Sequence, residues 1–428
     1  MNEQLVVKNF GPIKDATVDF KRVTVFIGPT GGGKSTLAKI RMVISDDNIL
    51  SNGASITPLL NDYGLNFYRR ADYFIKWSST NENYLAIEDD KVVIDANTLA
   101  GLIKHTDDVS KPLAKGVSKQ LTPQSDVINR IEKLLKEIQQ LENSELEHLS
   151  PKRALINFAF NLEKSLDKAY LKDTLSISDF THYVPAERLI ISTLALSWPS
   201  LIDAKADLPK TLIDFSRMFL QASKAVGSLK IPFLDIAFHE ENGQSIIKSE
   251  GSILQIHETA SGIQSVTPLL VLLEHLSRNT EQAQSFIIEE PELNLFPIAQ
   301  FELVKTLVEK CARLDGQNDL VLTTHSPYVL TALNLMCYAF RIAQQDEATA
   351  KKVAKLIPRH CWIDPEQFAA YYVDRPDTKR KQQVRSIINK KTGLIEENEL
   401  DTASEELSNI FDKLLDLRQP VKVNARAK

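Results

Sequence analysis

The sequence predicts an α/β fold with a mixed sheet, an antiparallel β subdomain, a helical insertion and a small C-terminal subdomain. Three observations carry that prediction. Strand signals at Gln4 to Phe10, Ala16 to Phe20 and Val23 to Ile27 lead into a glycine-rich loop, Gly28 to Gly33, and a helix from Lys34 to about Val43. Two further apolar runs, Phe286-Ile287-Ile288 and Leu320-Val321-Leu322, break into polar residues at Glu289-Glu290 and, after Thr323-Thr324, at His325. Between these regions Ile236 to Glu258 alternates as a meander, with Asn242-Gly243 and Glu250-Gly251 as its turns.

At 428 residues the chain fits two or three structural units, and its 43% apolar and 25% charged content is that of a globular protein. Residues 1–45 and 180–345 are expected to form the main unit, 46–179 a mostly helical insertion and 346–428 a C-terminal α/β extension. Within the insertion, Tyr84 to Asp95 reads as a hairpin turning at Asp89-Asp90. Ile128, Ile131, Leu135 and Ile138, then Leu155, Phe158, Leu162 and Leu166 after Ser150-Pro151, have the spacing of a short helical hairpin. Thr402 and Glu405 form a capping box ahead of Leu407, Ile410, Phe411 and Leu414, the signature of a terminal helix.

The net charge of -5 supplies no global attraction to nucleic acid or anionic membrane. Cys311, Cys337 and Cys361 are scattered without metal-ligand spacing and read as reduced thiols. The first residues lack a signal-peptide pattern, and the longest apolar run, Leu189 to Trp198, falls short of the roughly 18–20 residues of a membrane helix. A cytoplasmic protein is expected.

Gly28-Pro29-Thr30-Gly31-Gly32-Gly33-Lys34-Ser35, continued by Thr36, fits G-x-x-x-x-G-K-[ST] between a strand and a helix. Its backbone N–H groups can point at phosphate oxygens, Lys34 reaches the outer phosphates, and the Ser35 hydroxyl is offered to Mg²⁺. Glu289 and Glu290 should project at the carboxyl edge of a parallel sheet. There one carboxylate, assigned to Glu289, holds the metal, and the other, Glu290, activates water. His325 ends the adjacent strand, placed to hydrogen-bond the γ-phosphate or the attacking water. Ala260-Ser261-Gly262-Ile263-Gln264-Ser265 sits at a helix start and offers N–H groups and a hydroxyl to a second phosphate, which implies a nucleotide shared between two subunits.

Together these stretches resemble the ATP-binding cassette class of ATPases. Gly28 to Ser35 corresponds to Walker A, Ser261, Gly262 and Gln264 to the signature acting in trans, Glu289-Glu290 to Walker B and His325 to the switch histidine. Glu289-Glu290-Pro-Glu292-Leu-Asn-Leu-Phe-Pro297, Val7-Lys-Asn-Phe-Gly-Pro-Ile13 and Tyr183-Val-Pro-Ala-Glu187-Arg188 look like the bacterial defence and repair branch that includes OLD-family, RecF-like and PARIS-type ATPases. Two departures stand out: Glu289 replaces the usual Asp, and the signature lacks its double glycine.

The resemblance implies a head that forms a homodimer or higher homo-oligomer around ATP and Mg²⁺, acting as a sensor or scaffold for a separate effector, a nuclease or toxin, in anti-phage defence. Arg188 is expected either to sense phosphate or to pair with Glu187. A nuclease of OLD type would need an Asp-x-Asp that Asp364, Asp374 and Asp377 do not form. A transporter subunit would carry a standard signature. A repair clamp would want a basic surface, for which Lys379, Arg380, Lys381, Arg385, Lys390 and Lys391 are the one cluster.

Overall fold

The computed structural model describes residues 3–46, 55–66, 72–79, 83–88, 90–95, 180–194, 208–279, 282–377 and 382–396, with isolated positions between them. The strands are β1 (Glu3–Phe10), β2 (Ile13–Phe20), β3 (Val23–Ile27), β4 (Phe74–Ser78), β5 (Tyr84–Glu88), β6 (Lys91–Ile94), β7 (Phe180–Val184), β8 (Ser228–Ile231), β9 (Ile236–Glu241), β10 (Gln244–Ser249), β11 (Ser252–Gln255), β12 (Gln284–Glu289), β13 (Asp319–Thr324), β14 (Phe368–Val373) and β15 (Val384–Ser386). The helices are α1 (Lys34–Ser45), α2 (Thr57–Asp62), α3 (Leu189–Thr193), α4 (Lys210–Val226), α5 (Ser261–Leu276), α6 (Pro297–Cys311), α7 (Pro327–Ala343) and α8 (Glu347–Val353).

The central sheet has the order β15-β14-β3-β13-β12-β7, parallel throughout except for the antiparallel edge strand β15. Its inner strands are largely apolar because both faces are covered: every residue of β3, β12 and β14 is buried. The period of two then divides them. Val23, Val25, Phe286, Ile288, Leu320 and Leu322 pack with helices α4 to α7, while Phe26, Ile287, Val321 and Tyr183 pack with α1 and the N-terminal sheet. Parallel pairing brings the ends of β3, β7, β12, β13 and β14 to one edge.

The meander forms as expected, β11-β10-β9-β8, with Asn242 at φ 54° and Gly243 at φ 81° in its first turn. In β2, buried Ile13, Ala16, Val18 and Phe20 alternate with mostly exposed polar positions, the pattern of an antiparallel strand with one wet face.

Two expected divisions of the chain contribute strands to shared sheets. Within the 46–179 segment, expected to be a mostly helical insertion, the described strands β4, β5 and β6 extend the N-terminal sheet in the order β2-β1-β4-β5-β6, and most of the segment lies outside the described residues. Ile75, Trp77, Leu85 and Ile87 alternate toward the core that holds Leu5, Val7 and α1, which draws the strands onto β1. The hairpin read at Tyr84 to Asp95 is present as β5 and β6. The 346–428 extension is likewise not set apart: β14 lies between β15 and β3 within the central sheet, because Phe368 to Val373 has apolar side chains for both faces. The helical hairpin at Ile128 to Leu166 and the terminal helix after Thr402 lie outside the described residues.

At the end of the sheet away from the phosphate loop, Arg41 is buried over the Trp77 ring at 4.4 Å, with Nη2 3.4 Å from Glu3 Oε2. Burial outweighs that ion pair and, with Asp319 nearby, pushes the Glu3 carboxyl up from 4.5 to about 7. The fold therefore favours protonated Glu3, a contribution fully present below pH 4.5 and lost as pH rises through about 7. Glu3→Gln should match the native melting temperature near pH 4.5 and exceed it above pH 7, by an amount on the order of 2–3 kcal/mol. Thermal melts of both proteins across that range check this; parallel curves would contradict it.

Candidate functional site

The phosphate loop leaves β3 at Gly28 and enters α1 at Lys34. Gly28 has φ 144°, and a Cβ there would sit 2.2 Å from the Val373 carbonyl oxygen, so β14 packs directly on the loop backbone. Gln383 braces the same loop: its Nε2 donates to Pro12 O at 2.7 Å and Gly32 O at 3.2 Å, and its Oε1 accepts from Lys14 N at 2.8 Å. Lys34 Nζ donates to Gly28 O at 2.9 Å and Pro29 O at 3.1 Å. Burial lowers its pKa to about 8, opposed by Glu290, Glu289 and Glu292. All three carboxylates thus act on the loop lysine.

The two adjacent glutamates separate in space. Glu289 is the last residue of β12 and shares a register position with Thr323 on β13, so its side chain turns toward α1. It is 3% exposed, and burial raises its pKa despite the nearby Ser35 hydroxyl. Its Oε1 and the buried Tyr183 hydroxyl beside it complete no hydrogen bond of good geometry, although the Ser35 and Tyr183 hydroxyls lie close enough to favour the charged carboxylate. A buried carboxylate oxygen left open next to the serine that starts α1 fits Mg²⁺, a hard cation that takes one or two protein oxygens and completes its shell with phosphate and water.

Glu290 takes the left-handed conformation, φ 41°, which costs a non-glycine residue about 1–3 kcal/mol. That turn swings its carboxylate away from Glu289, and Oε1 lies 3.5 Å from His325 Nε2. Burial and Lys34 lower the His325 pKa, which keeps the ring neutral near pH 7. The contact is therefore between a carboxylate and a neutral imidazole, too long for a strong hydrogen bond. Glu292, a residue to which sequence reasoning gave no role, fixes the histidine's backbone: its Oε1 accepts from Thr324 Oγ1 at 2.7 Å and His325 N at 2.9 Å.

Arg188 departs from both expectations. It is 0% exposed and all five of its N–H donors meet carbonyls: Nε to Ser265 at 3.0 Å, Nη1 to Pro185 at 3.1 Å and Glu289 at 2.7 Å, Nη2 to Glu290 at 2.8 Å and Pro291 at 3.2 Å. No donor remains for a phosphate, and Glu187 is not among its partners. Burial lowers its pKa to about 10, so it stays charged.

The α5 start divides as well. Ser261 is exposed, and no side chain caps the first turn. Gly262 is buried, and a Cβ there would meet Asn294 O at 2.6 Å. Gln264 turns inward: Nε2 donates to Thr259 O at 2.6 Å and His257 O at 3.1 Å, holding its own subunit's turn and not a second phosphate. Val373, Gln383 and Tyr183 were missed because each reaches the site through a distant pairing or a strand face that local spacing does not reveal.

With this geometry in view, family comparison decides the class. Residues 103–330, more than half of the chain, match the AAA ATPase domain family. The chain belongs to that family. A second match covers residues 4–178 of this AAA ATPase, to the AAA domain family. No curated protein matches the chain. Among solved structures it is similar to an SMC head bound to the C-winged helix domain of ScpA, at 11% identity, with 77% of this chain and 90% of that one covered and a TM-score of 0.39. The SMC head domain from Thermotoga maritima gives 12%, 78%, 92% and 0.32. An Smc head with an extended coiled coil, bound to the C-terminal domain of ScpA derived from Pyrococcus furiosus, gives 11%, 95%, 98% and 0.35.

Gly28→Ala should lower the melting temperature, by about 1–3 kcal/mol of stability, since a methyl group cannot share space with the Val373 carbonyl. Gly31→Ala, whose Cβ meets nothing within 4 Å, should lose only the roughly 1–2 kcal/mol of a left-handed residue. Equal melting temperatures for Gly28→Ala and native protein would refute the close approach.

Proposed function

We propose that this ATPase works as an ATP-dependent homodimer whose nucleotide is completed in trans. The observation that carries this reading is that its two phosphate-type helix starts lie on opposite faces of one sheet. α1 packs with Phe26, Ile287 and Val321, whereas α5 packs with Val25, Ile288 and Leu322. A phosphate cradled at Lys34 is thus separated from the Ser261 start by the subunit's own sheet, and a second copy supplies that start. Exposed Phe296 and Ile298 beside the acidic turn and Tyr328 beside His325 add apolar surface at the same edge.

In this proposal the N–H groups of Gly28 to Gly33, with Ser35 and Thr36, bind the phosphates. Lys34 exchanges the Gly28 and Pro29 carbonyls for the outer phosphates. Ser35 and Glu289 would hold Mg²⁺, which would supply neutralisation of phosphate charge. Glu290 accepts the proton of the attacking water, and neutral His325 orients that water or the γ-phosphate. Ser261 and the open N–H groups of the partner's α5 complete the site. The resemblance at Glu289 to Pro297 and Tyr183 to Arg188 supports a sensor or scaffold in anti-phage defence with a separate effector. In this reading the output lies in a partner, and the described C-terminal strands β14 and β15 serve the ATPase sheet. For the repair-clamp alternative, the basic cluster is partly committed: Arg380 Nη1 lies 3.6 Å from Asp374 and Arg385 lies 4.6 Å over Tyr372.

Lys34→Ala should lose ATP binding. Glu290→Gln should bind ATP, turn over roughly 10²–10⁴-fold more slowly and accumulate as a dimer in ATP and Mg²⁺. Turnover assays with mass measurement check both. Native-rate hydrolysis by Glu290→Gln would overturn the assignment of the base, and a monomeric mass with bound ATP would overturn the dimer.

A further inference from the structure

We infer that Arg188 is a positioning residue that couples engagement of α5 to the conformation of the Glu290 turn, an inference that rests on the shared-site reading above. Its guanidinium bonds to three separate pieces of chain: Pro185 in its own loop, Ser265 one turn into α5, and the consecutive carbonyls of Glu289, Glu290 and Pro291. A rigid planar fork joins these pieces at fixed spacing, so α5 cannot shift along its axis without moving the turn or breaking a bond.

Two further contacts make the connection directional. Residues that follow Arg188 grip α5, with Ser192 Oγ donating to Gln264 O at 2.7 Å and Thr193 Oγ1 to Gln264 Oε1 at 3.3 Å. From the other side, the start of α5 abuts the far end of the acidic turn, where Gly262 packs against Asn294. That turn holds two left-handed non-glycine residues, Glu290 at φ 41° and Asn294 at φ 60°. Glu290 is kept there by Arg188 on its carbonyl and by its own N–H, which donates to Thr323 O at 2.9 Å. Contact with a partner's phosphate at Ser261 is therefore transmitted through Ser265 and Arg188 to the carboxylate that faces His325. Each subunit's α5 completes the neighbour's nucleotide and sets its own Glu290.

Arg188→Lys tests the relay, because an ammonium keeps the charge but cannot span five carbonyls. The full-length variant should still melt cooperatively, bind ATP within about threefold of native affinity and, combined with Glu290→Gln, still form the ATP-dependent dimer. Its kcat should fall roughly tenfold to a hundredfold with little change in KM. Its effect should be non-additive with Ser261→Ala in a double-mutant cycle on kcat, whereas a merely structural role leaves the two additive. Should Arg188→Lys fail to fold, Ser192→Ala removes one grip on α5 and should lower kcat about twofold to tenfold, again non-additively with Ser261→Ala. Native kcat or strict additivity in a protein that still dimerises with ATP overturns the relay alone. Absence of the dimer in Glu290→Gln itself overturns the shared site.

Discussion

A single buried guanidinium sets the geometry of the catalytic edge. Removing a charge from water costs several kcal/mol, and Arg188 recovers that cost only because five carbonyls and the nearby carboxylates Glu292, Glu290 and Glu289 surround it. The same arrangement explains why the acidic turn can tolerate a left-handed Glu290. A strand that simply continued would send two neighbouring carboxylates to opposite faces of the sheet. Breaking the strand after Glu289 leaves one carboxylate facing Ser35 and brings the other to the histidine. The separation of the two glutamates is thus a backbone property held by an arginine from the turn that follows β7.

The parallel sheet supplies everything else at that edge. Covering both faces buries β3, β12 and β14 along their whole length, and their parallel run places the strand ends side by side. Covering both faces also separates α1 from α5. The arrangement that builds a phosphate loop on one side and an open helix start on the other leaves each subunit with two halves of different sites, which is the physical basis for proposing a nucleotide shared between copies.

Much of this was legible locally. The phosphate loop, the acidic pair, the histidine strand and the meander each declare themselves within about ten residues, through glycine spacing, apolar runs and turn dipeptides. What escaped depended on distant pairing. β5 and β6 read as the hairpin they are, but nothing in Tyr84 to Asp95 says that it pairs with β4 and so extends the sheet of β1. Phe368 to Val373 was not singled out in the C-terminal extension, and only its insertion beside β3 reveals that Val373 and Gln383 buttress a loop about 350 residues earlier. Arg188 stood in a recognised motif yet drew the wrong expectation, since a positive charge near a sheet edge suggests phosphate until its donors are counted. Gln264 failed for a similar reason: a polar side chain at a helix start can serve its own turn as readily as a ligand.

The shared nucleotide site is tested most directly by ATP turnover per subunit as a function of protein concentration, with mass measured on the same samples. Activity per subunit should rise with concentration and track the dimer fraction. Constant activity per subunit down to concentrations at which the protein is monomeric would contradict it.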